Sequence, residues 1–188
     1  MKRKILAISG STRKGSSNES ILRAIAALHS HHLDLVIFNE IDKLPHFNPD
    51  LTDSDLPSVV KEFREQIRLA DGVIICTPEY VFSLPGSLKN AIEWNVSTTL
   101  FSNKPVAIIV ASASGEKAFE SLALIMTTIE AILPDRSKLL IKGGRSKVGA
   151  NGEIQNQETL DQINLLVQSL LESIKQVELA EEKGTPAQ

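Results

Sequence analysis

The chain has 188 residues, of which 42% are hydrophobic and 23% are charged, so its size and composition are those of one ordinary globular domain. Its 20 basic and 23 acidic residues give a formal charge of −3, which offers no basic surface for DNA or RNA. The longest apolar runs have the length of strands, and the run from Ile5 to Ile8 is too short for a signal peptide. We therefore expect a cytoplasmic protein with no membrane segment and no nucleic-acid partner.

Five short, continuous runs of Val, Ile and Leu predict strands that are covered on both faces. The runs span residues 5–8, 33–38, 73–76, 106–110 and 139–141. Segments with helical periodicity separate them, and this alternation predicts an α/β fold. We expect a doubly wound five-stranded parallel sheet in the order 2-1-3-4-5, with helices on both faces.

The fourth and last helical segments have the clearest apolar stripes. The fourth stripe runs from Ala118 to Ile132 and ends at Pro134, and the last runs from Leu160 to Val177. Beyond them the chain is polar and contains glycine and proline. We expect a single domain over residues 1–180 and a disordered tail over residues 181–188.

Cys76 is the only cysteine, so an internal disulfide is impossible. Its place in the third apolar run predicts a buried small side chain, the alternative being a reactive thiol. The four histidines show no metal-ligand spacing with acidic residues or with Cys76. No metal site is expected.

A polar turn, residues 9–18, follows the first predicted strand. Gly10 allows the backbone to turn tightly, and the first helix begins directly afterwards with free N–H groups and a positive dipole end. The turn is neither a Walker loop nor a Rossmann glycine loop. It predicts a phosphate site, the alternative being a serine-rich turn that only caps the helix. Its donors and its positive charge are provided by Ser11, Arg13, Ser16, Ser17 and Asn18.

A second polar loop, residues 77–94, follows the third predicted strand. Ligands of doubly wound sheets bind at the carboxyl ends of the strands, where the strand order reverses. In the order 2-1-3-4-5, the first and third strands flank that point. The two polar loops are therefore predicted to face one cleft.

Together these loops make the chain resemble the NADPH-dependent FMN reductase family. The matching motifs are Gly10-Ser11-x-Arg13-x-x-Ser16-x-Asn18, Pro78-Glu79-Tyr80 and Pro85-Gly86-x-Leu88-Lys89-Asn90-Ala91-Ile92-x-Trp94. The likeness extends to a long loop containing Leu44-Pro45 and Asn48-Pro49-Asp50, and to Gly152-Glu153-Ile154 before the last helix. It covers most of the chain, with the motifs in the family's order.

The resemblance implies a flavodoxin-like fold with a site for FMN. It implies that Ser11, Arg13, Ser16, Ser17 and Asn18 hold the FMN phosphate. Pro78, Glu79 and Tyr80 are expected along the isoalloxazine ring with Ser83 nearby, and the loop Ser112-Ala113-Ser114-Gly115 over its other edge.

The resemblance also implies an oxidoreductase. Hydride is expected to pass from NAD(P)H, a co-substrate, to FMN and on to a small acceptor such as a flavin, a quinone or an azo compound. No side chain is expected to act as a catalytic residue, because the flavin carries the chemistry.

Two departures from the family pattern leave the acceptor open. Val81 and Phe82 follow the Pro-Glu-Tyr triplet where the family usually has asparagine, and the loop at 112–117 is poorer in glycine. The preference for NADH or NADPH, and whether FMN is tightly bound or a substrate, also stay open. The alternatives are a non-enzymatic FMN-binding electron carrier and a protein that kept the fold and lost the flavin.

Two helices carry further predictions. The fourth is apolar on more than one side because of Ala123, Leu124, Met126 and Ala131, which favours a subunit contact. Members of the family form dimers or tetramers, and we expect a homodimer or homotetramer. On the third helix, Lys89, Asn90 and Trp94 are predicted to fix a loop or to join a subunit interface.

Overall fold

The computed structural model describes residues 1–51, 54–143, 147 and 153–184. Its strands form one sheet in the order β2-β1-β3-β4-β5, and every neighbouring pair is parallel. The predicted sheet and its strand order are therefore confirmed. The strands are β1 (Arg3–Ser9), β2 (Leu33–Phe38), β3 (Gly72–Thr77), β4 (Val106–Ser112) and β5 (Lys138–Lys142).

Helices cover both faces of this sheet, as predicted. The helices are α1 (Ser17–Leu28), α2 (Ser58–Leu69), α3 (Gly86–Glu93), α4 (Glu116–Thr128) and α5 (Gln157–Glu182). Apolar side chains of α1 and α5 pack in one core cluster, and those of α2, α3 and α4 pack in the other. Within the described part of the chain, no helix combines the length and the apolar surface needed to cross a bilayer.

The central strand β3 explains why the core has two halves. All six of its residues are buried, and side chains alternate between the faces of a strand. Val73 and Ile75 belong to the cluster with α2, α3 and α4, whereas Ile74 and Cys76 belong to the cluster with α1 and α5. A continuous apolar run is what a strand covered on both faces requires.

Helix α4 ends earlier than its apolar stripe predicts. It stops at Thr128, and Glu130 has a positive φ of 63°. Ile132 then lies beside Pro105 in a β-bridge, with its N–H donating to the carbonyl of Lys104 at 2.9 Å. The predicted end at Pro134 is therefore wrong. Ile132 is apolar in this extended conformation just as it would be in a helix, so the apolar pattern did not mark the end of α4.

Helix α5 extends beyond the predicted domain boundary. It begins after Asn156, whose side chain accepts from the N–H of Thr159, and it ends at Glu182. Glu181 and Glu182 therefore belong to the helix and not to the expected tail. Alanine, leucine and glutamate in this segment have high helix propensity. Residues 185–188 and Gly152 lie outside the described residues.

Candidate functional site

A cavity of about 480 Å³ lies at the carboxyl ends of β1, β3 and β4. Both polar loops singled out from the sequence reach it, as the strand order requires. Its volume is within the range of about 300–1,000 Å³ that is usual for small-molecule sites. The lining residues are Ser11, Arg13, Ser16, Ser17, Asn18, Pro78, Glu79, Tyr80, Ala111, Ser112, Ala113 and Gly143.

Three residues expected at the flavin do not line this cavity. Ser83 instead pairs with Tyr80 through two backbone hydrogen bonds of 3.0 Å. Gly115 is buried at the start of α4 with a φ of 101°, where a Cβ atom would lie 2.8 Å from Leu140 Cδ1. Ser114 is exposed. Ser83 and Gly115 therefore shape the loops that border the cavity.

The sequence prediction missed Ala111 and Gly143 as lining residues. Ala111 lies near the end of β4, and Gly143 follows β5 and donates its N–H to the carbonyl of Ser112 at 2.8 Å. Neither belongs to a polar motif. Their positions at strand ends could have indicated them, because the carboxyl ends of parallel strands meet at one edge of a sheet.

The start of α1 forms the polar end of the cavity. Ser16 is the N-cap residue, and its side chain accepts from the N–H of Glu19 at 3.1 Å, in the spacing of a capping box. The N–H groups of Ser17 and Asn18 lie in the first turn, where a helix has no internal acceptors. With the guanidinium of Arg13 at the same cavity, this end suits an anion.

A hydrogen bond from Cys76 fixes the position of the Asn18 side chain. Both side chains are buried, and the Cys76 Sγ donates to Asn18 Oδ1 at 3.4 Å. Burial raises the pKa of the Cys76 thiol, so the thiol keeps the proton that it donates. This bond holds the Asn18 amide oxygen against β3. The prediction of a buried cysteine is confirmed.

Glu79 joins the loop after β3 to the start of α4. Its Oε2 accepts from the backbone N–H of Ala118 at 3.0 Å. Gly115 occupies the N-cap position of α4 and has no side chain to do so. A carboxylate near a helix N-terminus is favoured by the helix dipole. Glu79 therefore holds together two of the loops that line the cavity.

The residues after Tyr80 form a tight turn with an unusual backbone. Val81 and Phe82 have φ values of 51° and 56°, and the flanking residues Tyr80 and Ser83 pair as a two-residue hairpin. This is the geometry of a type I′ turn, which favours Asn-Gly. A non-glycine residue in this region costs about 1–3 kcal/mol. Val81 is 95% exposed and Phe82 is 77% exposed.

The long loop after β2 is fixed by α3. Trp94 Nε1 donates to the carbonyl of Pro45 at 2.7 Å, and Asn90 Oδ1 accepts from the N–H of Phe47 at 2.8 Å. The rings of Phe47 and Trp94 meet edge to face with centroids 5.3 Å apart. The prediction that Asn90 and Trp94 fix a loop is confirmed, and Lys89 instead pairs with Glu93 on the helix surface.

Among the residues that the structure describes, no group of three His, Cys, Asp or Glu side chains could hold a metal ion. His46, on the long loop, is exposed. The cavity is thus lined by the polar turn before α1 together with the loops that follow β3 and β4.

Comparison with known proteins agrees with this geometry. The chain is 36% identical over 162 residues to a 2-hydroxy-1,4-benzoquinone reductase of Burkholderia sp., covering 83% of this chain and 87% of the relative. It is 32% identical over 172 residues to an NAD(P)H-dependent FMN reductase of Pseudomonas aeruginosa, covering 89% and 92%. The solved structure of FerB, a flavoenzyme NAD(P)H:(acceptor) oxidoreductase of Paracoccus denitrificans, aligns with a TM-score of 0.81 at 26% identity, covering 92% and 97%.

The family can be assigned from these matches. A sequence model described as NADPH-dependent FMN reductase matches residues 3–145. The predicted flavodoxin-like fold, the FMN cofactor and the NAD(P)H-dependent oxidoreductase activity are confirmed with it. The chain belongs to the NADPH-dependent FMN reductase family.

Proposed function

We propose that this chain reduces quinones with NAD(P)H and holds FMN in the cavity between the 9–18 turn and the loop after β3. The observation that carries the proposal is that these two loops, far apart in sequence, line one cavity of about 480 Å³. When bound, FMN supplies the two-electron chemistry by which NAD(P)H, a proton and a quinone become NAD(P)⁺ and a hydroquinone.

The polar end of the cavity fits the FMN phosphate. Arg13 offers a charge, and the hydroxyls of Ser11, Ser16 and Ser17 and the NH₂ group of Asn18 offer donors. The first turn of α1 adds backbone N–H groups and a positive dipole end. A dianionic group is the ligand that this set of donors and charge favours.

The other end of the cavity fits a flat ring system. Pro78, Ala111 and Ala113 present small apolar surfaces, and Tyr80 lies at the rim. Glu79 is engaged with Ala118, so it holds the loop in place. Ser112 and Ala113 line the cavity as well, and Ser83 and Gly115 shape the loops beside it.

Quinones are the acceptors that the comparisons favour. The relative with 36% identity is named a 2-hydroxy-1,4-benzoquinone reductase, and a relative from Escherichia coli with 30% identity over 185 residues is named a quinone reductase. Pro78, Ala111 and Ala113 add apolar surface to the cavity lining, which suits an uncharged ring better than a charged one.

We also infer that the enzyme acts as a homodimer or homotetramer in the cytoplasm, without a nucleic-acid partner. Leu124 is exposed on α4 and is available for a subunit contact. Met126 is buried in the core and Ala123 packs against it, so the contact surface is smaller than the sequence suggested. Light scattering after size exclusion measures the assembly, and a Leu124→Glu variant is expected to reduce it.

Anaerobic mixing of the FMN-loaded protein with NADPH or NADH tests the proposed activity. Loss of the visible absorbance of oxidised flavin, followed by its recovery when a quinone is added, is expected. A flavin that neither nicotinamide reduces would favour an electron carrier. A protein that cannot bind added FMN would contradict both functions.

A further inference from the structure

The Val81–Phe82 turn is the most exposed apolar feature next to the cavity. Apart from Met1, these are the two most exposed large hydrophobic side chains among the described residues. The positions of Val81 and Phe82 are fixed by the residues on either side of them. Tyr80, directly before them, lines the cavity, and the buried Leu84 follows Ser83. The turn is therefore a firmly anchored apolar tip at the rim of the site.

The stability of the fold does not explain why valine and phenylalanine occupy positions 81 and 82. A β-branched residue and an aromatic residue are both held at positive φ, where asparagine and glycine are favoured. Neither side chain is buried in compensation. Unfavourable backbone geometry that persists without a packing gain points to a role at a functional site.

The distribution of charge along the cavity indicates what the tip meets. Among the residues that line the cavity, Arg13, Ser16, Ser17 and Asn18 lie at the start of α1. The loop after β3 contributes Pro78, Glu79 and Tyr80 to the lining, and the end of β4 contributes Ala111, Ser112 and Ala113. The carboxylate of Glu79 is engaged with the N–H of Ala118. A ring that enters beside Tyr80 therefore meets apolar surface on the cavity wall and again on the Val81–Phe82 turn.

We propose that the Val81–Phe82 turn determines acceptor specificity by packing against uncharged, alkyl-substituted quinones. This inference rests on the proposed function, since it assigns the acceptor side of the same site. Apolar surface removed from water strengthens binding in proportion to its area. The turn gives a charged quinone no comparable gain, because it offers no hydrogen-bond donor side chain.

The test compares two probes with one quinone ring: tetramethyl-1,4-benzoquinone, which is apolar, and 1,4-benzoquinone-2-sulfonate, which is charged. Their dissociation constants are measured with the FMN-loaded, oxidised protein, in which no electron transfer can occur. The double variant Val81→Asn/Phe82→Gly carries the residues that a type I′ turn favours, so the backbone is retained. We expect its affinity for the tetramethyl probe to fall about 10-fold and its affinity for the sulfonate to change less than about twofold.

Two further variants separate specificity from general effects. Phe82→Leu keeps an apolar tip and is expected to retain the affinity for the tetramethyl probe within about twofold. Leu165→Asn removes an exposed apolar side chain from α5, away from the cavity lining, and is expected to bind both probes as the wild type does. A thermal midpoint of the double variant at or above that of the wild type is also expected, since its turn is relaxed.

An unchanged affinity of the double variant for the tetramethyl probe would overturn the inference, as would an equal loss for both probes. The inference fails separately from the proposed function. If NAD(P)H did not reduce the bound flavin, the proposed activity would be wrong, whereas the binding measurement with oxidised protein would still decide the role of the turn.

Discussion

The carboxylate of Glu79 accepts a hydrogen bond from the backbone N–H of Ala118 at 3.0 Å. It thereby caps α4 from a different loop, in a place where Gly115 has no side chain to offer. The contact links the carboxyl end of β3 to the segment after β4. Both segments line the cavity, so this bond maintains the distance between two of its walls.

Replacing Glu79 by alanine is expected to lower the free energy of unfolding by about 1 kcal/mol, the usual effect of losing a helix N-cap. Glu79→Gln should lose less, because the amide oxygen still accepts while the charge–dipole attraction is gone. Urea unfolding at neutral pH measures both. Glu120→Ala is the matched control on α4, since Glu120 makes only an exposed pair with Lys117 that contributes little. Equal stability of Glu79→Ala and Glu120→Ala would contradict the capping role.

Removing the positive charge at the phosphate end is expected to weaken FMN binding. Arg13→Ala should lose about 1.5–3 kcal/mol, or roughly 10- to 150-fold in affinity, because a charge-assisted hydrogen bond is lost. Riboflavin has no phosphate, so its affinity should not change. Fluorescence titration of the apoprotein measures both ligands. Lys14→Ala is the control, since Lys14 is exposed and lies outside the cavity lining; a similar loss there would mean that only overall charge matters.

Replacement by alanine is expected to have opposite effects on stability at Gly10 and at Gly86. A Cβ atom at Gly10 would lie 2.3 Å from Thr77 Oγ1 and 3.0 Å from Leu88 Cδ2, whereas one at Gly86 would have nothing within 4 Å. Gly10→Ala should destabilise the fold by about 1–3 kcal/mol through overpacking. Gly86→Ala, in the first turn of α3, should stabilise it by about 0.4–1 kcal/mol. Denaturant midpoints distinguish the two, and a stable Gly10→Ala variant would show that β1 and β3 are less closely packed there.

The stability of the protein is expected to depend on His29 in mildly acidic solution. Burial and the neighbouring His32 lower the pKa of His29 below its ordinary value, against a hydrogen bond with Asn164. The unfolded chain therefore binds this proton more readily, so the side chain lowers the free energy of unfolding as the pH falls below about 6.5 and has no such effect at higher pH. His29→Gln should lose less stability than the wild type between pH 7.5 and pH 5.5. An identical loss in both proteins would contradict this role.

The sheet could be predicted because its strands are unambiguous. β3 and β4 are continuous runs of mostly branched apolar residues, and such runs separated by helices leave few topologies. The convergence of the two polar loops followed from that topology. The end of α4 could not be predicted, because Ile132 is apolar in either conformation and Glu130 gives no sign of its positive φ.

The lining of the cavity was predicted where polar residues form it and missed where small residues form it. Ser16 and Arg13 belong to a motif that can be recognised in the sequence. Ala111 and Gly143 belong to no such motif and reach the cavity only because of the way the strands are arranged in the sheet. The capping contact of Glu79 joins it to Ala118, 39 residues away in sequence, and no local sequence pattern predicts such a contact. The turn at Val81 and Phe82 violates turn preferences, so its conformation could not be deduced from propensity.

A crystal structure of the protein soaked with FMN tests directly whether the 9–18 turn and the loop after β3 hold the flavin. We expect one FMN per chain, with its phosphate at Ser16, Ser17 and Asn18 and its ring beside Pro78 and Tyr80. FMN bound elsewhere, or with its phosphate oriented away from the start of α1, would show that these two loops do not form the flavin site.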